Sequence, residues 1–181
     1  MPNYLRECVH LKDIYLFDSP TIDKLKSLKE NYDNLEINDV LLYLEIHKAY
    51  YLMKLNYDSL LQTYDLSEAK FSIMMLLSYE NEMILSPSEL AEKTGSKKST
   101  ISGVIKGMEK RNLIRRKEIP NDKRTNYVQL THEGLELLKN FLPDNYKLVS
   151  KVFNVFTKEE KKQFYELSNK LKNHLEREEL L

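Results

Sequence analysis

The sequence predicts a mainly α protein with one small β-hairpin and long helices on both sides of its centre. Gly and Pro are sparse, at four and five among 181 residues, whereas aliphatic residues and tyrosines are plentiful, a composition typical of helical proteins. Apolar residues recur at helical spacing through most of the chain, and one run, residues 127–130, has the β-branched and aromatic content of a strand. The length fits one domain with a substantial core and long arms.

Residues 1–38 are predicted to form an N-terminal arm that takes part in dimerisation or covers a pocket. The pair Ser19-Pro20 interrupts its helical pattern. Cys8 is the only cysteine, so an intrachain disulfide is excluded. A reactive thiol needs exposure and a lowered pKa, and most lone cysteines are inert, so a redox role for Cys8 stays open.

A long helix is predicted over residues 39–66, directed toward a dimer interface and capped by Asn38 or Asp39. Every seventh residue along it is a tyrosine, which places these residues on one side of the helix: Tyr43, Tyr50, Tyr57 and Tyr64. This stripe is either an aromatic wall of an effector pocket, with His47 beside it, or part of a core or an interface. His47 has no partners at metal-ligand spacing.

Residues 67–131 are predicted to form a lobe in which short helices precede a hairpin. Ser67 begins the first of these helices. Ser86 and Glu89 match a capping box around Pro87, and Gly95 supplies a left-handed stop. Ser96 is expected to cap the next helix, residues 97–111. The apolar stripe of that helix is Ile101, Val104, Ile105 and Met108.

Charge is concentrated in the second half of this lobe. Between Ser96 and Arg124 there are ten basic and three acidic residues, although the whole chain has a formal net charge of zero. A short loop over residues 120–126 is predicted to carry Lys123 and Arg124 at a hairpin tip, where Asp122 orients Arg124 by an ion pair. Two short helices, a tight turn and a cationic hairpin describe a helix-turn-helix with a wing, and the segregated charge favours DNA binding.

The residues of this lobe resemble the winged-helix core of MarR-type transcriptional regulators. The resemblance is carried by L-A-E-K-T-G, S-T-I-S, M-E-K-R-N-L-I-R-R, the D-x-R of Asp122 and Arg124, and V-Q-L-T-x-x-G. It implies a homodimeric winged helix-turn-helix regulator that binds palindromic duplex DNA and responds to a small phenolic ligand or an oxidant. We expect a repressor released by a small aromatic ligand. Redox sensing through Cys8 and a winged-helix protein–protein module are the alternatives.

The predicted DNA contacts lie on the second helix and on the hairpin, because basic and hydroxyl side chains contact phosphates and base edges. They are Ser96, Lys97, Lys98, Ser99, Thr100, Ser102, Lys106, Asp122, Lys123 and Arg124. Gly103 and Gly107 stand where such regulators often carry larger polar side chains. They either remove DNA contacts or let the helix backbone approach closely, at a cost of roughly 1 kcal/mol of helix stability each.

Residues 132–181 are predicted to form C-terminal dimerisation helices. Thr131 caps the first, and Pro143 is expected to kink or split it. Thr157 and Glu160 match a capping box for a last helix with an apolar stripe. That stripe, Phe164, Leu167, Leu171 and Leu175, needs a surface to pack on, and a second copy of the chain is the economical partner.

Several function classes find no support in the sequence. No apolar run reaches the length of a membrane span, and the N-terminus has no signal-peptide pattern, so a cytoplasmic location is expected. We find no catalytic motif, phosphate-binding glycine loop or metal cluster. The prediction is therefore a protein that is not an enzyme and has no cofactor.

Overall fold

The computed structural model of the chain describes residues 20–119 and 122–177, with the backbone alone for residues 122–125. The chain divides into two compact units, Met1–Ser67 and Glu68–Leu181. The predictions for the arm before residue 20, including Cys8, lie outside the described residues. The fold is mainly α with one small antiparallel sheet, as predicted.

The described part of the first unit consists of a short helix and a long one. Helix α1, Ile22–Lys29, begins where the Thr21 hydroxyl accepts a hydrogen bond from the Lys24 amide. Helix α2, Ile37–Thr63, has Glu36 at its N-cap position. The predicted cap at Asn38 or Asp39 is wrong, because both residues lie inside the first turn of α2. Asp39 still stabilises that turn through its charge near the positive end of the helix dipole.

The second unit contains the other helices and the sheet. Its elements in chain order are α3 (Glu68–Ser78), a 3₁₀ turn (Asn81–Met83), β1 (Ile84–Leu85), α4 (Pro87–Thr94), α5 (Lys98–Lys110), β2 (Ile114–Ile119), β3 (Asp122–Leu130), α6 (His132–Phe153) and α7 (Lys158–Arg177). We call the part from α3 to the first half of α6 the lobe.

The core of the lobe is built from one apolar face of each of its elements. Its fully buried side chains are Ile73, Met74, Leu77, Leu90, Ile105, Met108, Ile114, Val128, Leu138 and Phe141. The edge of the Phe71 ring meets the Phe141 ring at a centroid distance of 4.9 Å, which ties α3 to α6. Each buried aliphatic or aromatic side chain contributes about 1.5–3 kcal/mol of transfer free energy, so this core holds the short helices in place.

The sheet has the strand order β1-β3-β2, with both pairings antiparallel. Ile84 pairs with Gln129, Arg115 also pairs with Gln129 from the other side, and Ile119 pairs with Asp122. The predicted loop over residues 120–126 is therefore wrong from Asp122 onward, since β3 begins there. Cross-strand pairing overrides the low strand propensity of this polar segment.

Helix α6 runs without interruption from His132 to Phe153 and contains Pro143. Of the two predicted effects of Pro143, a split of the helix is therefore wrong, and a kink within it stays a prediction. Pro143 is exposed whereas Phe141 and Asn145 are buried, so the proline ring and the hydrogen bond that it removes lie on the outer side of the helix. The flanking buried residues keep the helix seated on the core across this position.

Helix α7 begins with the capping box that the sequence predicts. The Glu160 carboxylate accepts from the Thr157 amide at 2.8 Å, and the Thr157 hydroxyl accepts from the Glu160 amide at 3.2 Å. None of the residues described for α7 is buried. Its apolar stripe is correspondingly open, with Leu167 66% and Leu175 52% exposed.

Candidate nucleic-acid interface

The turn between α4 and α5 is formed by two local devices. At the start of α4, the Ser86 amide donates to the Glu89 carboxylate at 2.7 Å and the Ser86 hydroxyl accepts from the Glu89 amide at 3.2 Å. The Ser86 backbone N–H and then its hydroxyl hold the pKa of Glu89 below its usual value. At the end, Gly95 adopts a left-handed conformation with φ 61°. The predicted capping box and helix stop are both confirmed.

Ser96 closes α4 rather than opening α5. Its amide donates to the carbonyl of Ala91 at 2.9 Å, and its hydroxyl donates to the carbonyl of Thr94 at 3.4 Å. The N-cap position of α5 is occupied by Lys97. The predicted cap at Ser96 is therefore wrong, because the left-handed stop at Gly95 uses the residue that follows it.

Helix α5 separates an apolar face from a polar one. Ile101, Ile105 and Met108 are buried, Val104 and Glu109 are half-buried, and the lysines and hydroxyl residues on the other side are exposed. This exposed surface, which we call the α5 polar face, consists of Lys97, Lys98, Ser99, Thr100, Ser102, Lys106 and Lys110. It has four ammonium groups and three hydroxyls, and both kinds of group bind phosphate oxygens and base edges.

Gly103 and Gly107 also lie on α5, and a Cβ atom built on either would touch nothing within 4 Å. No neighbour within the described lobe therefore requires glycine at these positions. Because neither residue has a side chain, a partner that approaches α5 at these positions can come closer to the helix backbone.

The two arginines at the root of the wing point to opposite faces of β2. Arg115 donates from Nε and Nη2 to the Gln129 side-chain oxygen, at 3.0 and 2.8 Å. The Gln129 side-chain amide in turn donates to the backbone carbonyl of Glu82 at 2.8 Å. This chain of hydrogen bonds runs from β2 across β3 to the 3₁₀ turn, where Glu82 and Met83 both have positive φ.

Arg116 reaches from the wing to α5. Its Nε lies 2.6 Å from Oε1 of Glu109, and its Nη2 lies 3.4 Å from Oε2 of the same carboxylate. Two roughly parallel contacts of this kind fix the relative orientation of the guanidinium and the carboxylate. The Glu109–Arg116 bridge therefore joins the helix that carries the α5 polar face to the strand that begins the wing.

The end of α5 and the start of α6 meet at Thr131. The Thr131 hydroxyl accepts from the Gly134 amide at 3.0 Å and lies within donating distance of two carbonyls, of Asn112 at 2.6 Å and Leu113 at 2.9 Å. Gly134 is buried, and a Cβ there would overlap the Leu113 carbonyl oxygen. We call this contact the Thr131 junction.

The predicted DNA contacts fall into three groups: residues of the α5 polar face, Ser96, and the three residues of β3. Lys97, Lys98, Ser99, Thr100, Ser102 and Lys106 share the α5 polar face, whereas Ser96 is half-buried in the turn before it. Asp122, Lys123 and Arg124 lie in β3 rather than in a loop, and their side chains are outside the described residues, as is the predicted ion pair between Asp122 and Arg124.

The predicted effector residues lie along α2. Tyr43 and Tyr50 are exposed, Tyr57 and Tyr64 are half-buried. The Tyr43 hydroxyl is 3.3 Å from Nε2 of His47, and their rings are 4.9 Å apart. This contact places His47 beside the first tyrosine of the stripe, and the effector role of these residues stays a prediction.

Sequence reasoning missed Glu109 and Gln129 as organising residues. Glu109 is the only acidic residue of α5, a helix otherwise polar or basic on its surface, and that isolation was a usable signal. Gln129 gave none, because its pairing with Arg115 depends on the strand register and its contact with Glu82 joins residues 47 apart in sequence.

Comparison with known proteins identifies the family of the chain. The MarR family model matches residues 66–125. The HTH-type transcriptional repressor YetL of Bacillus subtilis (strain 168) is 32% identical over 138 residues, which cover 76% of this chain and 83% of that repressor. The chain belongs to the MarR family. The family assignment made from sequence motifs is confirmed.

Two further relatives agree with this membership. The transcriptional repressor MprA of Escherichia coli (strain K12) is 26% identical over 162 residues, 89% of this chain and 92% of that protein. A MarR family regulator from Streptomyces coelicolor, solved in complex with DNA, superposes with a TM-score of 0.71 at 25% identity, covering 80% of this chain and 92% of that one. The MarR-family chain is thus a DNA-binding transcriptional regulator.

The relatives also bear on the other predicted classes. They are transcriptional regulators and not enzymes, so the prediction that this chain is not an enzyme is confirmed. Across residues 20–119 and 122–177, no helix has the length and apolar character needed to cross a bilayer. The same residues contain no group of three or more His, Cys, Asp and Glu side chains arranged to hold a metal ion.

Proposed function

We propose that this MarR-family protein is a homodimeric repressor, acting in the cytoplasm, that binds palindromic duplex DNA through α5 and the wing and is released by a small aromatic ligand. The observation that carries the proposal is the α5 polar face. Its exposed lysines and hydroxyls stand opposite a fully apolar buried stripe. A helix anchored in this way presents its outer surface to the major groove.

The homodimer is supported by apolar surface that the single chain leaves uncovered. On α7, Phe164, Leu167 and Leu171 are 51%, 66% and 44% exposed, and on α2 Leu42 and Ile46 are also exposed. Large apolar side chains exposed in a row along one helix face mark association surfaces. A twofold dimer reads two half-sites about 34–36 Å apart, so its operator is a palindrome.

The aromatic ligand is supported by the tyrosine stripe of α2. Tyr43, Tyr50 and His47 offer rings with polar ends on one helix, a combination suited to stacking on a phenol and hydrogen-bonding its hydroxyl. The ligand releases DNA if it binds better to the protein conformation that binds DNA less well.

The test begins with selection of a duplex from a random-sequence pool by the unaltered protein. Affinity for the selected duplex is then measured by fluorescence anisotropy at several salt concentrations. We expect Lys98→Ala with Lys106→Ala to weaken binding at least tenfold and to lower the slope of log K against log salt by about 1–2, since each lost phosphate contact removes nearly one unit.

The matched control is Lys170→Ala, which removes an exposed lysine from α7. Affinity and salt slope should stay at the level of the unaltered protein. If the pool yields no competitor-resistant complex, the basic surface serves a different partner, such as an acidic protein, and the repressor proposal fails.

A further inference from the structure

Glu109 is an unexpected residue for a helix that faces a polyanion. It is the single carboxylate of α5, and a negative charge near DNA weakens binding by repulsion and by a smaller release of counterions. Simple electrostatics therefore assigns Glu109 an unfavourable effect. The geometry around Glu109 indicates a structural role that offsets this unfavourable effect.

The carboxylate is committed to one partner. Both of its oxygens face the Arg116 guanidinium, at 2.6 and 3.4 Å, and its side chain is 27% exposed against 49% for Arg116. Arg116 lies two residues into β2, the strand that leads to the wing. The bridge therefore connects α5, the proposed DNA-facing helix, to β2 at the root of the wing. Around the bridge, the surfaces of both elements are exposed to solvent.

The bridge differs in kind from the apolar core and from the second polar contact at the root of the wing. Met108 of α5 and Ile114 of β2 are both buried in the apolar core, and apolar contacts are not directional. The second polar tie of the wing root, from Arg115 through Gln129 to the carbonyl of Glu82, leads to the 3₁₀ turn and not to α5. The Glu109–Arg116 bridge is thus a directional side-chain link between α5 and β2.

We propose that Glu109 and Arg116 are positioning residues: their bridge sets the angle between α5 and the wing, so that both elements engage one operator at once. This inference rests on the proposed function of the same surface. Arg116 then orients the wing and does not contact a DNA phosphate, although its positive charge alone would predict a phosphate contact. The loss of DNA affinity caused by a negative charge on α5 is offset by the gain from holding α5 and the wing in the arrangement that binds DNA.

The test uses Glu109→Gln, for which the two explanations predict opposite changes in affinity for the selected duplex. If charge alone matters, loss of an acid and release of Arg116 tighten binding to every duplex. If the bridge positions the wing, affinity for the selected duplex falls roughly two- to fivefold, the effect of one well-formed exposed ion pair, while affinity for a scrambled duplex of equal length does not fall. Both affinities are measured by fluorescence anisotropy with the full-length protein.

The matched control is Glu118→Gln, which removes one carboxylate from β2, the strand that also carries Arg116. Glu118 is exposed and lies beyond the bridge, so this variant should bind both duplexes as tightly as the unaltered protein or more tightly. A third variant, Arg116→Lys, keeps the charge but loses the two-contact fork. We expect it to lose specific affinity with an unchanged salt slope, since no phosphate contact is lost.

The charge exchange Glu109→Arg with Arg116→Glu rebuilds an ion pair with reversed polarity and should restore most of the specific affinity lost in Glu109→Gln. Thermal unfolding of each variant shows that folded protein is compared. Tighter specific binding by Glu109→Gln, or no recovery in the exchanged variant, overturns the inference while leaving DNA binding intact. If the unaltered protein selects no duplex, the proposed function itself fails and the inference fails with it.

Discussion

Gly134 and Gly103 are both helical glycines, but only Gly134 has a close neighbour. A Cβ at Gly134 would overlap the Leu113 carbonyl oxygen and lie 2.8 Å from Cδ1 of Leu130, whereas a Cβ at Gly103 meets nothing within 4 Å. One glycine is required by packing inside the chain. At the other position, no neighbour in the described part of the chain requires glycine.

The same substitution should therefore have opposite effects at the two positions. Gly134→Ala is expected to lower the free energy of unfolding by about 1–3 kcal/mol, because backbone has to move. Gly103→Ala is expected to raise it by about 1 kcal/mol, because alanine stabilises an exposed helix. Urea denaturation of both variants beside the unaltered protein measures the difference, and equal midpoints for all three would contradict this account of the Thr131 junction.

Local sequence rules succeeded at residues whose partners are near in sequence. The capping boxes at Ser86 and Thr157 and the stop at Gly95 were predictable because each device closes within a few residues. The rule failed at Ser96, since two adjacent devices compete for one residue and the stop at Gly95 takes it. Gln129 lay beyond any local rule, because strand register decides its partners.

Helix α7 is the element whose sequence pattern most exceeds what one chain uses. Its capping box and amphipathic stripe were predictable, and the stripe remains exposed along its length, as at Leu167 and Leu171. The free energy available from covering such side chains is about 25 cal/mol for each Å² of apolar surface removed from water. We therefore place the dimer prediction at this element.

Leu167→Glu with Leu171→Glu should convert the proposed dimer to monomer at micromolar concentration, because two carboxylates would be buried in an apolar contact. Sedimentation equilibrium gives the mass directly. Asn173→Glu adds one charge to α7 on the face away from the stripe and should leave the dimer intact. A monomeric unaltered protein, or an unchanged mass for the double variant, would rule out this interface.

The wing shows the limit of element-level prediction. Residues 127–130 were identifiable as a strand from their β-branched and aromatic content, but β3 extends back to Asp122 through polar residues. Their strand conformation comes from pairing with β2, in which Lys117 faces Tyr127 and Ile119 faces Asp122. Propensity describes an isolated segment, whereas a hairpin is stabilised by both of its strands together.

For the whole molecule, the proposed release by a ligand requires that ligand binding and DNA binding oppose each other. By linkage, a phenol that weakens DNA binding must itself bind less tightly in the presence of operator DNA, and by the same factor. We expect a panel of simple phenols to include compounds that shift operator affinity fivefold or more, and Tyr50→Ala to abolish that shift without changing affinity in the absence of phenol.

The control for this prediction is Tyr79→Ala, which removes an exposed tyrosine that is not on α2. Its response to the phenols should equal that of the unaltered protein, as followed by fluorescence anisotropy of a labelled operator. A full response in Tyr50→Ala would make the tyrosine stripe structural. Release by hydrogen peroxide that disappears in Cys8→Ser would favour the redox alternative.

The Thr131 junction has a mechanical consequence at this scale. The Thr131 hydroxyl forms hydrogen bonds both with the turn that ends α5 and with the first turn of α6. At Gly134, α6 packs so closely against the Leu113 carbonyl that not even a Cβ would fit. In the proposed regulator, we expect a torque applied along α6 to pass through this contact to α5, so that the lobe moves as one stiff body. The compliance needed for release of DNA is then expected outside the lobe.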